Sequence, residues 1–245
     1  MPTLSIIWLL ILGFGLGLKH ATEPDHLAAV STIVSGRKNI WSASLIGGLW
    51  GVGHTISLFI AGILVILLHF QISERMAQIL EFCVALMLIG LGIDTLRKVL
   101  RGGQIHWHIH RHGGITHAHP HVHDETTAHI PEVPEGHTHH GLKLSPRPLI
   151  VGMVHGLAGS GALMLLILST IPSPAIGIIY ILVFGAGSIG GMMAMSMLVG
   201  LPFHLTTKRF ARTEWFLRGC AGSFSLCFGL FMVYDIGFTN GLFRL

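Results

Sequence analysis

The sequence predicts an all-α, polytopic membrane protein of about six transmembrane helices, arranged as a 3+3 inverted repeat with the first helix broken near Pro24. Three observations lead there. Apolar residues make up 51% of the 245-residue chain and charged ones only 11%, against roughly 25% charged in soluble domains, and the mean hydropathy is +0.69. The apolar residues come in runs long enough to cross a hydrocarbon layer, which takes about 20 residues. The two ends of the chain also carry similar glycine and histidine motifs in the same order.

Run length sets the spans at Leu4 to Val34, Ser44 to Phe70, Ala77 to Leu96, Pro148 to Ile171, Ala175 to Leu198 and Trp215 to Phe238. The opening run PTLSIIWLLILGFGLGL lacks a basic leader and a small-x-small cleavage pattern, so it reads as a retained span. At about 1.5 Å per residue the Leu4 to Val34 run far exceeds a hydrocarbon core of about 30 Å, so a break is expected inside it. Pro24 supplies one. It offers no N–H to the carbonyl of His20 and pushes Glu23 out of helical dihedrals, which opens the chain between His20 and His26. The second span carries Gly47 and Gly51 at GxxxG spacing, suited to close helix approach. Cys83, Cys220 and Cys227 lie inside spans with no CxxC pair and read as packing residues.

Between spans three and four the composition changes to HWHIHRH at 106–112, HAHPHVH at 117–123, then His129, His137, His139 and His140. With few large aliphatics, this stretch cannot offset its ordering entropy and is expected to be disordered without metal. The chain thus divides into a first three-span repeat at 1–100, a histidine-rich loop at 101–147 and a second repeat at 148–245. Leaving aside Lys19 and Arg218, eleven basic residues follow spans one, three and five, and two, Arg75 and Arg244, lie on the other side. The positive-inside rule then puts both termini outside a plasma or inner membrane and the loop in the cytoplasm. The pI of 9.3 reflects these short loops and does not point to nucleic acid as a partner.

GLKHATEPDHLAAV at 17–30 aligns with GMVHGLAGSGALML at 152–165, matching Gly17 to Gly152 and His20 to His155. LWGVGHTI at 49–56 aligns with VFGAGSIG at 183–190, matching Gly51 to Gly185 and Gly53 to Gly187, whereas the third spans match weakly. With an odd number of spans per half, the second half enters the membrane in the opposite sense. Inverted repeats of this kind place a substrate site near the midplane.

Ionisable residues inside a span are costly and mark ion pathways or their partners. On an unbroken helix His20, Asp25 and His26 point in different directions, and they can meet on one ion only if the chain opens at Pro24. Imidazole with carboxylate suits Ni²⁺, Co²⁺, Zn²⁺ or Fe²⁺, whereas copper(I) draws on sulfur. His54 in the second span and His155, the counterpart of His20, are further candidate ligands. Glu23 and Lys19 are candidates to support the ligands, or pair only with each other. His69 and His204 read as interfacial, and Asp94, ahead of Arg97 and Lys98, as a solvated span end. The loop histidines His106, His108, His110, His112, His117, His119, His121 and His123 are candidates for metal capture, because alternate residues of an extended chain share one side; the loop then collects metal for export, buffers or senses it after import, or is dispensable.

The H-x4-D-H spacing of His20, Asp25 and His26 resembles the signature of the nickel/cobalt transporter family, and the Gly53-His54 pair resembles that family's second histidine motif. HGLAGSGAL, from His155 onward, is similar to the shorter, urease-accessory-type members. The resemblance implies a permease for Ni²⁺, with Co²⁺ as a second cargo, and His20, Asp25, His26 and His54 as its binding residues. It implies no cofactor. Its partners would be the ion, the bilayer, and metallochaperones or nickel-enzyme maturation proteins. The family's high-affinity permeases have eight spans against six here, and a long histidine loop is more typical of the efflux branch, so uptake and efflux both stay open. The chain lacks G-x4-G-K-[ST], so it has no ATP site of that type. It lacks HExxH, so an intramembrane metalloenzyme would need Asp25 or Glu23 as general base. A membrane-anchored metal chaperone would have no use for Asp25 and His26 inside a span, and the chain reads as a transporter and not an enzyme.

Overall fold

The structure, a computed structural model, describes residues 3–37, 39–68, 73–101, 106–112, 115–121, 146–156, 168, 170–171, 173–206 and 211–243. Among these the chain is helical apart from one short hairpin. The over-long first run is divided into α1 (Thr3–His20) and α2 (Pro24–Val34), set at 55° to each other. The second and third expected spans are α3 (Ile40–Leu68) and α4 (Glu74–Arg101). The fourth opens with α5 (Arg147–His155), and most of its remaining length lies outside the described residues. The last two are α6 (Pro174–Thr206) and α7 (Ala211–Tyr234), which runs into a π-helical turn at Asp235–Thr239. Among the described residues four helices, α3, α4, α6 and α7 with its π turn, are long and apolar enough to cross a membrane, and the bent α1–α2 pair passes the same test together, as a broken span or a re-entrant loop. The chain is a multi-pass membrane protein.

The break at Pro24 is tighter than the sequence suggests. Pro24 opens α2 as its first residue, where a missing N–H costs nothing, and the extended Glu23 (φ −66°, ψ 148°) sets the turn. The carbonyl of His20 is not left open, because the Glu23 amide donates to it at 3.1 Å, and the Thr22 amide donates to the Lys19 carbonyl at 2.9 Å. Exposed backbone at membrane depth is thereby held to a minimum.

Helix α1 packs on α6 and α5 on α3, while α3 packs on α6 and α4 on α7. Since lipid is as apolar as leucine, such packing relies on close backbone approach at small residues. A methyl on Gly17 would run into the Phe184 carbonyl of α6, and one on Gly152 into the Trp50 carbonyl of α3. The GxxxG glycines face α6, where a methyl on Gly51 would lie 2.8 Å from the Ile189 Cα. Two apolar clusters fill the interior, one around Ala28, Trp50, Leu88 and Met192, the other around Leu58, Tyr180 and Phe184. Trp8, Leu68, Phe231 and similar residues face outward, where a bilayer is their solvent. The three cysteines are also exposed rather than packed.

In the histidine-rich stretch, β1 (His106–His112) pairs antiparallel with β2 (Ile115–His121), setting His106, His108 and His110 opposite His121, His119 and His117. Composition predicts a structureless loop here. The overlooked signal is Gly113-Gly114 between two alternating runs, the sequence mark of a two-residue hairpin.

Gly53 sits against the Leu149 carbonyl, whereas Gly90 has open space around it. Gly53→Val is therefore expected to destabilise the protein by about 1–3 kcal/mol through overpacking, with Gly90→Val much closer to wild type. Thermal unfolding of both variants in detergent checks this.

Candidate metal centre

Three helix ends and one helix middle converge. Helix α1 ends on His20, α2 starts with Asp25 and His26 in its first turn, α5 ends on His155, and His54 lies in the middle of α3. All four histidines are buried to 2% exposure or less. One ring nitrogen from each of His20, His26 and His54 lies within 4.8 Å of the others, and the same holds for the ligand atoms of Asp25, His26 and His155. His26 therefore joins the two groups. Its ring centroid is 4.3 Å from that of His20 and 4.1 Å from that of His155, and His20 and His54 are 4.7 Å apart. All five residues expected from sequence are brought together.

The hydrogen bonds assign the tautomers, because a neutral imidazole carries one N–H. His20 Nδ1–H donates to the Glu23 carboxylate at 3.1 Å, which leaves its Nε2 as an acceptor facing His54 Nε2 at 2.9 Å. The proton between these two nitrogens thus belongs to His54, and His54 Nδ1 is bare. His155 Nε2–H donates to Asp25 Oδ2 at 2.9 Å, leaving its Nδ1 bare. Asp25 Oδ1 accepts the His26 amide at 3.0 Å and His26 Nδ1–H at 3.2 Å, leaving His26 Nε2 bare. Among the described residues His26 Nε2, His54 Nδ1 and His155 Nδ1 are buried without a hydrogen-bond partner. Each such group costs about 1–3 kcal/mol, and three together mark a place prepared to receive something. A carboxylate that fixes a histidine tautomer and turns the other nitrogen inward is the arrangement found behind metal-ligating histidines.

Glu23 turns to His20, while Lys19 is exposed. Asp94 makes an exposed ion pair with Lys98 at 2.9 Å and belongs to a solvated span end. His204 lies in the last turn of α6, and His69 is outside the described residues. His106, His108, His110, His112, His117, His119 and His121 belong to the hairpin, and His123 is outside the described residues.

Two residues escaped the sequence reading. Trp50 stacks on His26 at 5.2 Å and meets His155 edge-on at 5.6 Å. It lies one turn before His54 on α3, a spacing that could have found it. Glu81, half-buried on α4, is within electrostatic reach of Asp25 and Asp235. As a carboxylate inside a span, it was open to the rule that singled out Asp25.

The chain is 37% identical to the urease accessory protein UreH of Bacillus sp. (strain TB-90) over 248 residues, covering 100% of this chain and 99% of that protein. It is 30% identical over 91 residues to a high-affinity nickel transport protein of Cupriavidus necator, covering 37% of this chain and 24% of that protein. It is 25% identical over 236 residues to the chloroplast protein FOR GROWTH AND FERTILITY 2 of Arabidopsis thaliana, covering 94% of this chain and 57% of that one. No family model and no solved structure matches.

Asp25 accepts from His155 and twice from His26. Asp25→Ala is expected to lower stability by about 2–3 kcal/mol, the scale of hydrogen bonds to a charged group. Asp94→Ala, at an exposed pair, should cost less than about 1 kcal/mol. Melting temperatures of the two variants in detergent decide the comparison.

Proposed function

The chain belongs to the nickel/cobalt transporter superfamily, as a short member of the urease-accessory type, and from that membership we propose that it carries Ni²⁺ across the membrane through the cluster of His20, Asp25, His26, His54 and His155. The observations that carry the reading are the bare, buried nitrogens on His26, His54 and His155 and the convergence of these residues with His20 and Asp25 in two groups that share His26. Imidazoles backed by carboxylates suit Ni²⁺ and Co²⁺, so Co²⁺ is the second cargo. Bonds of about 2.1 Å put two ligands of one ion at most about 4.2 Å apart. Within each group the candidate ligand atoms all lie within 4.8 Å of one another, close to that limit. Asp25 and Glu23 orient the rings, and Asp25 keeps lone pairs for the ion. The ion is cargo; two of the relatives are a urease accessory protein and a nickel transport protein, and the chain is not an enzyme.

The ion crosses between two inverted repeats, residues 1–100 and 148–245, in this reading. Support comes from pairs of close approaches whose partners are sequence equivalents. Gly17 meets Phe184 and Gly152 meets Trp50. Gly187 meets Phe14 and Leu18, and Gly53 meets Leu149 and Met153. Gly51 meets Ile189, and Gly185 meets Thr55. The weakly matching third spans add Gly92 on Leu226 and Gly222, against Gly229 on Ile89 and Ala85. Rocking of one repeat against the other would then turn the site from one side to the other.

Both termini lie outside and the 101–147 loop lies in the cytoplasm, where its histidines collect ions and the partners are metallochaperones or nickel-enzyme maturation proteins. The urease-accessory name of the full-length relative favours uptake toward a nickel enzyme. The cytoplasmic histidine loop favours the second reading, export of Ni²⁺ or Co²⁺, for which it would gather the cargo.

Radioactive nickel movement in cells or proteoliposomes tests the site. His20→Ala and Asp25→Asn are expected to lower it at least tenfold, and near-normal transport by correctly inserted variants would sink the assignment. Binding exchanges ions for protons, so it should weaken as the pH falls and protons compete for the imidazoles. Deleting 103–140 is expected to lower flux in the direction the loop serves, measured as nickel accumulation against nickel resistance.

A further inference from the structure

Ser188, in the middle of α6, is fully buried, and its hydroxyl has no hydrogen-bond partner among the described residues. Helical serines usually return that proton to a carbonyl one turn back, and Ser57 on α3 donates to the carbonyls of Gly53 and Met153. Ser188 is unusual in making neither kind of bond. In the alignment of LWGVGHTI with VFGAGSIG it stands opposite His54. Its helix neighbours bracket His20. Phe184, one turn before, has its ring 5.9 Å from the His20 ring. Gly191, about one turn after, is so close to α1 that a methyl there would lie 2.8 Å from the Ala21 Cβ. The Ser188 amide itself would lie 2.8 Å from a methyl on Gly17. The stripe Phe184, Ser188, Gly191 therefore runs along the end of α1 from Gly17 to just past His20, with the Ser188 amide against Gly17, one turn before His20.

We propose that Ser188 is a sixth residue of the ion site, contributed by the second repeat where the first contributes His54, and that its hydroxyl holds a water retained on the bound ion. The proposal rests on the reading of the histidine cluster as the ion site. A neutral hydroxyl is a poor substitute for imidazole as a ligand but a good hydrogen-bond partner for a metal-bound water. Ni²⁺ and Co²⁺, when bound with waters, gain from such a partner. Zn²⁺, content with four ligands in a tetrahedron, gains little. Ser188 is then a residue that sets the choice among ions.

The test uses purified full-length protein in detergent, with Ni²⁺, Co²⁺ and Zn²⁺ binding measured by competition and the visible absorption of bound Co²⁺ recorded. Ser196→Ala is the control, since Ser196 is an equally buried and unpartnered hydroxyl on the same helix, two turns away against Gly47. Ser188→Ala is expected to weaken Ni²⁺ and Co²⁺ about threefold to tenfold, the worth of one net hydrogen bond, to shift the Co²⁺ absorption, and to leave Zn²⁺ nearly unchanged. Ser196→Ala should match wild type. Wild-type ion binding by Ser188→Ala, alongside loss of binding in His20→Ala, overturns the inference and leaves the ion site standing. Equal weakening in both serine variants also overturns it, because it reports a general effect on the fold. Undiminished binding in His20→Ala overturns the ion site itself.

Discussion

The structure depends on one constraint: a helix interrupted at membrane depth must satisfy its own backbone while releasing side chains inward. The 21–23 turn does so with few residues. Glu23 closes the His20 carbonyl with its amide and holds the His20 ring with its carboxylate. Pro24 then restarts the chain as α2 without an orphan N–H, and Asp25 uses its side chain on the first-turn amide of His26. The residues that make the break chemically tolerable are the same ones that orient the rings, so the break and the site cannot be separated.

Holding several helix termini around a common centre requires backbones to approach more closely than side chains allow. Glycine does this in both halves of the chain, at Gly17 against α6 and Gly152 against α3. Each lies one turn before the terminal histidine of its helix, His20 or His155. The glycine therefore fixes the depth at which the helix ends, and the histidine is delivered to the centre as a consequence. His54 reaches the same centre from an unbroken helix, and Trp50 and Phe184 lie against the His155 and His20 rings at corresponding positions.

Most of this was legible because the sequence carries expensive residues in inexpensive surroundings. His20, Asp25, His26 and His54 are conspicuous within apolar runs, and the length of the first run together with Pro24 predicts a break. What escaped was chemistry that looks ordinary in a membrane span. Trp50 reads as one more apolar residue until its ring is found on His26. The third-span pairing of Gly92 and Gly229 is carried by only two glycines, too little for an alignment to find. The partner of Glu23 was ambiguous because Lys19 and His20 are both within reach of it along the chain, and only the direction of the turn decides for His20. In the loop, weight given to composition hid the Gly113-Gly114 signal between alternating strands.

The asymmetry of the centre follows from charge. A divalent ion at membrane depth carries a large desolvation cost unless it is paired. On the proposed reading, ionised Asp25 and Glu23 offset the charge of a divalent ion, and both come from the N-terminal half of the chain. An acid at the position aligned with Asp25 in the C-terminal half would add another carboxylate to the same centre. Instead, Ser160 stands at that position and Gly161 at the one aligned with His26. The C-terminal half supplies His155, whose Nε2–H donates to Asp25 of the N-terminal half. This contact ties the two halves together at the centre, and on the proposed reading one half brings the charge while the other adds a ligand.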